Sequence, residues 1–241
     1  MTSPVIITLI PVHNEEKTIG EIIKKCRRYS FKIFVIDDGS TDKTVLYARG
    51  AGASVIKHKE NKGVGAAIKT GHKVILKWIE HKYQKTNSNL DNIIIVNLDG
   101  DGQHNPNEIP KLVRPITEGN ADLVIGSRIM GVNQDKSMIR RGGNIFFSFL
   151  ISILTKNRIT DAQSGYRAIN MRALKLIKLR ENFTNRQEMV ILAAKQKCRI
   201  MEVPIAVNLR VYGKSFIQSK SQKIAFLLKV LFIIVRTFLI G

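Results

Sequence analysis

Short apolar runs alternate with amphipathic, helix-like stretches through the first half of the chain. Short runs rich in β-branched residues are typical of buried strands, and apolar residues spaced three and four apart are typical of helices. The pattern predicts strands at 5–10, 32–38, 53–58, 92–99 and 121–128, and helices at 15–28, 41–50, 64–83 and 107–119. This βαβα alternation predicts an α/β fold, a mostly parallel sheet with helices on both faces.

The regular alternation ends after residue 128. We predict a loop at 130–143, a strongly apolar helix at 144–154, and a loop over 160–169 that ends in a strand. Basic helices at 172–180 and 186–197, a bent strand at 198–210 and a basic loop at 211–223 follow. The pattern divides the chain into a domain over residues 1–217 and an apolar, basic tail over 218–241.

Polar side chains follow four of the predicted strands, at the point where each strand ends. They lie at 13–15, 37–38, 99–101 and 127–128. Ligands of open α/β sheets bind beyond the carboxyl ends of the strands. A turn would explain any one cluster, but it does not explain why carboxylates recur at this edge.

Composition narrows the choice of partner. The chain has 39 Lys and Arg against 19 Asp and Glu, a net charge of +20, which favours an anionic partner such as a membrane surface or a phosphorylated ligand. Neither a zinc-finger spacing nor an RNA-binding aromatic signature is present, so nucleic acid is not expected. The N-terminus lacks the charged start of a signal peptide, and Cys26 and Cys198 stand alone, which suits reduced thiols.

Asp99, Gly100 and Asp101 place two carboxylates on either side of one small residue. Carboxylate oxygens are ligands that Mg²⁺ and Mn²⁺ prefer, and two of them suit a metal that substrate phosphates complete. The glycine allows a diphosphate to approach the backbone. Gln103 and His104 add polar groups to the same edge, and a plain β-turn remains the alternative.

The segment DDGSTD, residues 37–42, also follows a predicted strand. One of its carboxylates could accept a hydrogen bond from a nucleobase, while Ser40 or Thr41 caps the next helix. Residues 61–71, NKGVGAAIKTG, bring small residues to a helix start, but they contain neither a Walker loop nor a full GxGxxG. We interpret them as close packing beneath a nucleotide site.

Taken together, these segments resemble the inverting GT-A glycosyltransferases of glycosyltransferase family 2, most closely the polyprenyl-phosphate (dolichol-phosphate) mannose and glucose synthases. The resemblance implies a GT-A, Rossmann-like fold and covers nearly the whole chain. It rests on IPVHNEE (10–16), VIDDGSTDKT (35–44), NKGVGAAIKTG (61–71), DGDGQH (99–104), GSR (126–128), DAQSGYRAI (161–169), EVPI (202–205) and RVYGKS (210–215).

The resemblance also implies site residues, which we state by role. The nucleotide would contact Pro11, His13, Glu15, Asp38, Asp99 and Gly100, and the metal Asp99, Asp101 and Gln103. The lipid phosphate would contact Arg128, Arg140, Arg141, Arg210 and Ser215, and the sugar Asp161, Ser164 and Glu188. Asp101, Arg128 and Arg210 would be the catalytic residues. Gly100 replaces a common alanine, which we expect to be tolerated, and Asn144 replaces a small hydroxyl residue.

The implied reaction is Mg²⁺- or Mn²⁺-dependent transfer of a hexose from GDP-mannose or UDP-glucose to a polyprenyl (dolichyl) phosphate, with inversion. UDP-N-acetylglucosamine stays open as a donor. One alternative keeps the donor site but uses a saccharide acceptor, which predicts an ED pair and a QxxRW-like stretch, and neither is found. The other is a non-catalytic, basic, membrane-associated protein, which predicts a damaged DxD or missing arginines.

Residues 224–241 are apolar except for Lys229, Arg236 and Thr237. About 20 apolar residues are needed to span a bilayer, so we predict a helix that lies in the membrane interface, with a buried core helix as the alternative. Residues 144–154, flanked by Arg140, Arg141, Lys156 and Arg158, are a candidate second interfacial helix. We expect the protein at the cytoplasmic face of the membrane, against an anionic surface, with a small membrane-anchoring subunit as a further candidate partner.

Overall fold

The computed structural model describes residues 3–84, 90–133, 138–209 and 220–240. Within these ranges, strands in the order β3-β2-β1-β4-β6-β5-β7 form one sheet. Neighbouring strands are parallel except on either side of β6, which is antiparallel to both β4 and β5. The strands are β1 (Val5–Val12), β2 (Lys32–Asp37), β3 (Ser54–Lys57), β4 (Ile93–Asn97), β5 (Leu123–Asn133), β6 (Arg167–Asn170) and β7 (Ile200–Val207).

Helices cover both faces of this sheet, so the predicted α/β architecture is confirmed. One face packs against α3, α5, α6, α7 and α8, and the other packs against α1, α2 and α4. The helices are α1 (Ile19–Cys26), α2 (Thr44–Gly50), α3 (Val64–Tyr83), α4 (Ile109–Thr117), α5 (Met138–Thr155), α6 (Met171–Leu176), α7 (Arg186–Lys195) and α8 (Lys220–Ile240). Short 3₁₀ turns lie at Leu90–Asn92 and Pro106–Glu108.

The loop predicted at 130–143 is wrong at both ends. Strand β5 continues to Asn133 because Val132 and Asn133 pair with Ala206 and Val207 of β7, after an irregularity that follows Ser127. Helix α5 then begins at Met138. Local polarity predicted a loop, but pairing with a strand more than 70 residues away decides the conformation of residues 130–133.

The antiparallel strand β6 positions the site. Arg167, the first residue of β6, lies opposite Asn97 at the end of β4 and opposite Ile125 in β5. The segment that precedes β6 therefore meets the carboxyl ends of β4 and β5 at one edge of the sheet. The polar clusters at strand ends and the residues of DAQSGYR are brought together in this way.

Helix α8 packs with one side on the protein and leaves the other side exposed. Val230, Ile233, Ile234 and Thr237 are buried. Lys229 lies 4.1 Å from the ring centroid of Phe183. Arg236 forms an ion pair of 3.0 Å with Glu181. The two cations therefore contact the protein, and none of the described helices is long and apolar enough to cross a membrane.

Candidate active site

Asp99 and Asp101 lie just past the end of β4, where the chain turns. The carboxylate of Asp99 receives a hydrogen bond of 2.8 Å from the guanidinium of Arg186, the first residue of α7. The backbone N–H of Asp99 donates to Nδ1 of His104 at 3.1 Å. Asp101 accepts the N–H of Gln103 at 3.1 Å. The acidic pair is thus held by its own turn and by one cation from α7.

Charge keeps the carboxyl group of Asp99 ionised despite its surroundings. Burial alone would raise the pKa of Asp99, but the charge of Arg186, the electrostatic effects of His104 and Arg128 and the hydrogen bond from Arg186 together lower it. Arg128 is therefore close enough to act on Asp99 electrostatically. Burial also lowers the pKa of His104, consistent with a neutral ring that accepts the N–H of Asp99 at Nδ1.

The turn that carries the acidic pair is tied to the end of β7. The N–H of Asn208 donates to the carbonyl of Gln103 at 3.0 Å. The side-chain amide of Gln103 donates to the carbonyl of Asn208 at 3.3 Å. His104 stacks on the ring of Tyr166, with 5.0 Å between the ring centroids. The side chain of Gln103, predicted as a metal ligand, thus bonds to β7 through its amide nitrogen.

Arg128 is fixed by a buried carboxylate. Asp161, which is fully buried, accepts the Nε–H and Nη2–H of Arg128 at 2.7 and 2.8 Å and its backbone N–H at 3.0 Å. Asn144 donates a further bond of 2.8 Å to Asp161. Burial would raise the pKa of Asp161, but the bonds and charge of Arg128 lower it. The guanidinium is therefore held in one orientation at the site edge, about a quarter exposed.

These contacts give Asp161 partners that the sequence did not reveal. Its oxygen atoms accept hydrogen bonds from Arg128 and Asn144, and its own backbone N–H donates to Glu202 at 2.8 Å. Asp161 therefore holds Arg128 in place, and Asn144, whose role the sequence left open, belongs to the same network. Contact between Asp161 and the sugar stays a prediction.

The predicted nucleoside residues gather at the ends of β1 and β2. His13 is exposed, and its Nδ1 lies 2.9 Å from the carbonyl oxygen of Asp38. The carboxylate of Asp38 is buried and accepts bonds from His58 and from the backbone N–H groups of Lys62 and Gly63. It therefore orders the 61–63 loop. Pro11 and Glu15 are buried beside this edge.

A cavity that is open to solvent lies beside Asp99, between β4, β6, α3 and α7. Gly165 is part of its wall, and a methyl group there would lie 2.8 Å from Asp99 and 3.1 Å from Arg186. Neighbouring Ser164, a predicted sugar residue, is buried and binds the N–H of Tyr166 instead. The lining residues are Val64, Ile68, Asn97, Asp99, Gly165, Arg167, Asn185, Arg186 and Met189.

Glu188, the remaining predicted sugar residue, does not line this cavity. Its carboxylate accepts the backbone N–H groups of Arg180 and Glu181 at 2.7 and 3.0 Å. It lines a separate cavity against α8. The carboxylate of Glu188 therefore bonds to the backbone of residues 180 and 181, and its contact with the sugar stays a prediction.

Three predicted lipid-phosphate residues have side chains outside the described part of the chain. Arg210 and Ser215 lie in the segment between 209 and 220, and the side chain of Arg140 is likewise not described. Arg141 is exposed in the first turn of α5. Sequence reasoning missed Arg186 and Asn97, because their relation to the site depends on packing between α7 and β4 that no local motif reveals.

Comparison with known proteins identifies the class. The family described as Glycosyl transferase family 2 matches residues 8–177. The chain belongs to this family and is a glycosyltransferase.

Two curated relatives illustrate the range of this similarity. The UDP-N-acetylglucosamine–dolichyl-phosphate N-acetylglucosaminyltransferase of Methanococcus voltae is 33% identical over 228 residues, which is 85% of this chain and 86% of that protein. The undecaprenyl-phosphate mannosyltransferase of Micrococcus luteus is 27% identical over 228 residues, covering 87% and 86%.

A solved structure has the same fold. Glucosyl-3-phosphoglycerate synthase from Mycobacterium tuberculosis, in complex with Mn²⁺, UDP and phosphoglyceric acid, superposes with a TM-score of 0.73 at 18% identity. The superposition covers 98% of this chain and 78% of that one. At this identity the likeness establishes the GT-A-like fold and nothing about the acceptor.

Proposed function

We propose that this glycosyltransferase moves a hexosyl unit from a nucleotide sugar, such as GDP-mannose or UDP-glucose, to a polyprenyl (dolichyl) phosphate with inversion at the anomeric carbon. The observation that carries the proposal is the Arg128–Asp161 pair beside the acidic turn. An arginine held by a buried carboxylate offers a rigid fork for a phosphate. The names of the two curated relatives, which act on lipid phosphates, support the same acceptor.

The acidic turn fits a divalent cation, Mg²⁺ or Mn²⁺. Asp99 and Asp101 present hard oxygen ligands one residue apart, and Asp99 already holds the positive charge of Arg186. A cation bound there would neutralise charge on the donor diphosphate. Asp99 and Asp101 would hold it, and the sugar would extend toward the cavity that Asp99 shares with α7.

The acceptor needs no dedicated base. The second pKa of a phosphate monoester is about 6, so the acceptor is largely a dianion at neutral pH. One of its oxygen atoms forms the bond to the anomeric carbon while the bond from that carbon to the nucleotide diphosphate breaks. The nucleoside diphosphate leaves with the electron pair. Arg128 would contribute by holding and orienting the attacking phosphate.

Helices α5 and α8 provide a surface that could bind the membrane in which a lipid acceptor lies. The two helices touch, since Leu227 of α8 lies close to Gly143 of α5. Exposed cations, among them Arg141, Lys156 and Arg158, accompany the apolar side chains, and such a combination binds anionic membrane surfaces. We propose peripheral binding at the cytoplasmic face. The exposed apolar residues are Ile145, Phe146, Phe149, Ile153, Leu227, Leu228, Leu231, Phe232, Val235, Phe238, Leu239 and Ile240.

The direct test is product formation from polyprenyl phosphate, Mn²⁺ or Mg²⁺, and a panel of GDP- and UDP-sugars, detected by mass spectrometry. We expect a lipid phosphosugar whose anomeric configuration, read by NMR, is opposite to that of the donor. Retention of configuration, or transfer to a saccharide but to no lipid phosphate, would refute the proposal.

Asp101→Asn tests the acidic turn within the same assay. We expect a loss of turnover on the order of 100-fold or more, because the leaving diphosphate loses its neutralising cation. Asp91→Asn is the matched control, since Asp91 is an exposed acid in the turn before β4. Activity of the Asp101 variant equal to that of the control would remove the metal assignment.

A further inference from the structure

We infer that the cavity beside Asp99 receives the acetamido group of a 2-acetamido sugar, so that the preferred donor is a nucleotide-linked N-acetylhexosamine. The inference rests on the proposed function, because it assumes that the donor diphosphate binds at Asp99 and Asp101. It goes beyond that function in the class of donor.

One wall of the cavity is apolar. Val64 and Ile68, one turn apart on α3, face the same space as Met189 of α7. A sugar that carries only hydroxyl groups would place a polar oxygen against this wall and lose hydration there. An acetamido group ends in a methyl, which suits such a wall.

The opposite side of the cavity offers a hydrogen-bond acceptor that has no partner. Asn97 is 3% exposed, and its Oδ1 has no hydrogen-bond partner within the described part of the chain. Buried polar groups nearly always have a partner. An acetamido N–H is a donor that needs one acceptor, and Asn97 can supply it.

A contact with His72 orients the side chain of Asn97. Its Nδ2 lies 3.4 Å from Nε2 of His72, which is buried in α3. Burial lowers the pKa of His72 to about 4, so the ring is neutral at physiological pH and Nε2 can accept. With its proton on Nδ1, His72 accepts at Nε2 from the amide nitrogen of Asn97, and the oxygen of Asn97 is left as the unpaired end.

The other polar groups of the cavity have structural partners. Arg167 donates to the carbonyl oxygens of Ser164, Ala162 and Arg186. Asn185 donates to the carbonyl of Gly65 at 3.2 Å. Asn97 therefore stands out as the side chain with capacity for a ligand next to the apolar wall. The name of the Methanococcus voltae relative, which uses UDP-N-acetylglucosamine, agrees with this chemistry.

The test compares donors on the wild-type protein and on Asn97→Leu, a replacement of similar size without the acceptor. For the wild type we expect a higher kcat/KM with UDP-N-acetylglucosamine than with UDP-glucose. In the variant, the ratio of kcat/KM for UDP-N-acetylglucosamine to kcat/KM for UDP-glucose should fall about tenfold, because the acetamido N–H loses its acceptor. The affinity for UDP alone should stay unchanged. Asn120→Leu is the matched control, because Asn120 is exposed in the connection between α4 and β5, outside the cavity lining.

A measurement on the unaltered protein covers the case in which Asn97→Leu does not fold. Saturation-transfer NMR with UDP-N-acetylglucosamine and Mg²⁺ should show the acetyl methyl among the most strongly saturated protons. A weakly saturated methyl, or equal kcat/KM for both donors in the wild type, would overturn the inference.

The outcomes separate this inference from the proposed function. A lipid phosphosugar formed from UDP-glucose or GDP-mannose, but not from acetamido donors, would overturn the cavity assignment and leave the proposed function intact. Preferred, Asn97-dependent binding of acetamido donors without any lipid product would support the cavity assignment and refute the lipid acceptor.

Discussion

At the scale of single residues, Arg186 and a metal would compete for the same carboxylate. The guanidinium lies 2.8 Å from Asp99, and both side chains are about a quarter to a third exposed. Arg186 bonds to one of the two carboxylate oxygens, so a cation on Asp99 would lie next to its positive charge. We therefore expect Asp99 to hold a metal more readily when a donor diphosphate adds negative charge beside both cations.

We predict that Arg186→Gln binds Mn²⁺ more tightly than the wild type when no nucleotide is present, by roughly three- to tenfold, because the positive charge of Arg186 no longer repels the metal. Calorimetric titration with Mn²⁺ checks this. Arg172→Gln, an exposed arginine on α6, is the control. Weaker Mn²⁺ binding by the Arg186 variant would mean that Arg186 assists the metal rather than opposing it.

Gly100 is less tolerant than the sequence suggested. A methyl group at Gly100 would collide with Cγ1 of Val12, a buried residue at the end of β1. An alanine at this position therefore requires a smaller neighbour on β1.

Gly100→Ala should accordingly lower the free energy of unfolding by about 1–2 kcal/mol, the usual cost of overpacking. Adding Val12→Ala should cost less in that background than in the wild type, as a denaturant double-mutant cycle would show. Gly142→Ala is the control, because a methyl group there meets nothing within 4 Å. An unchanged unfolding midpoint for Gly100→Ala would show that Val12 can move aside.

The sequence predicted the site residues at the ends of the strands, but it did not predict which side chains contact them. Asp99, Asp101 and Arg128 follow apolar runs, so their edge could be predicted from the chain alone. The structure adds partners for Asp161 and Glu188 that the sequence did not reveal, because folding brings them together from distant segments. Arg128 bonds to Asp161, and the backbone N–H groups of residues 180 and 181 bond to Glu188. Their contact with the sugar stays a prediction.

At the scale of elements, α5 and α8 depart from the behaviour of ordinary surface helices. Phe149 and Phe232 are each more than 60% exposed. A water-facing surface helix places polar residues on its outer side, whereas α8 turns Lys229 and Arg236 to the protein and apolar side chains outward. Lys229 and Arg236 are seven residues apart and lie on one side of α8, where they contact Phe183 and Glu181 in the segment before α7.

Acidic substitutions among the exposed apolar residues of α5 and α8 should weaken binding to lipid vesicles. We expect the double variant Phe149→Glu, Phe232→Glu to bind vesicles that contain anionic phospholipid at least about tenfold more weakly, because both insertion and charge attraction are lost. Vesicle co-sedimentation measures it. Leu46→Glu, at a 64% exposed position on α2, is the control. If the control variant lost as much vesicle binding, the effect would come from the change in net charge and not from the apolar surface of α5 and α8.

At the scale of the whole molecule, stability should depend on pH through His72. Its pKa is about 4 in the folded protein and about 6.5 in an unfolded chain. Between these values the unfolded state binds more protons, so stability is complete above pH 6.5 and declines as the pH falls toward 4. The shift corresponds to about 3 kcal/mol.

His72→Gln should remove most of this contribution, so the variant would lose less stability than the wild type between pH 6.5 and 4. Urea unfolding at a series of pH values provides the comparison. His81→Gln serves as the control, because His81 is exposed near the end of α3. Parallel stability curves for the wild type and the His72 variant would contradict the argument.

The position of β6 has a consequence for how the chain reaches this structure. Strand β4 pairs with β1 on one side and with β6 on the other, yet β6 is made some 70 residues later and joins the sheet between β4 and β5. During synthesis one edge of an apolar strand, Ile93–Asn97, stays open until residue 170 has left the ribosome. Open apolar edges invite pairing between chains. Nascent chains that pause before this point would be the ones most in need of a chaperone.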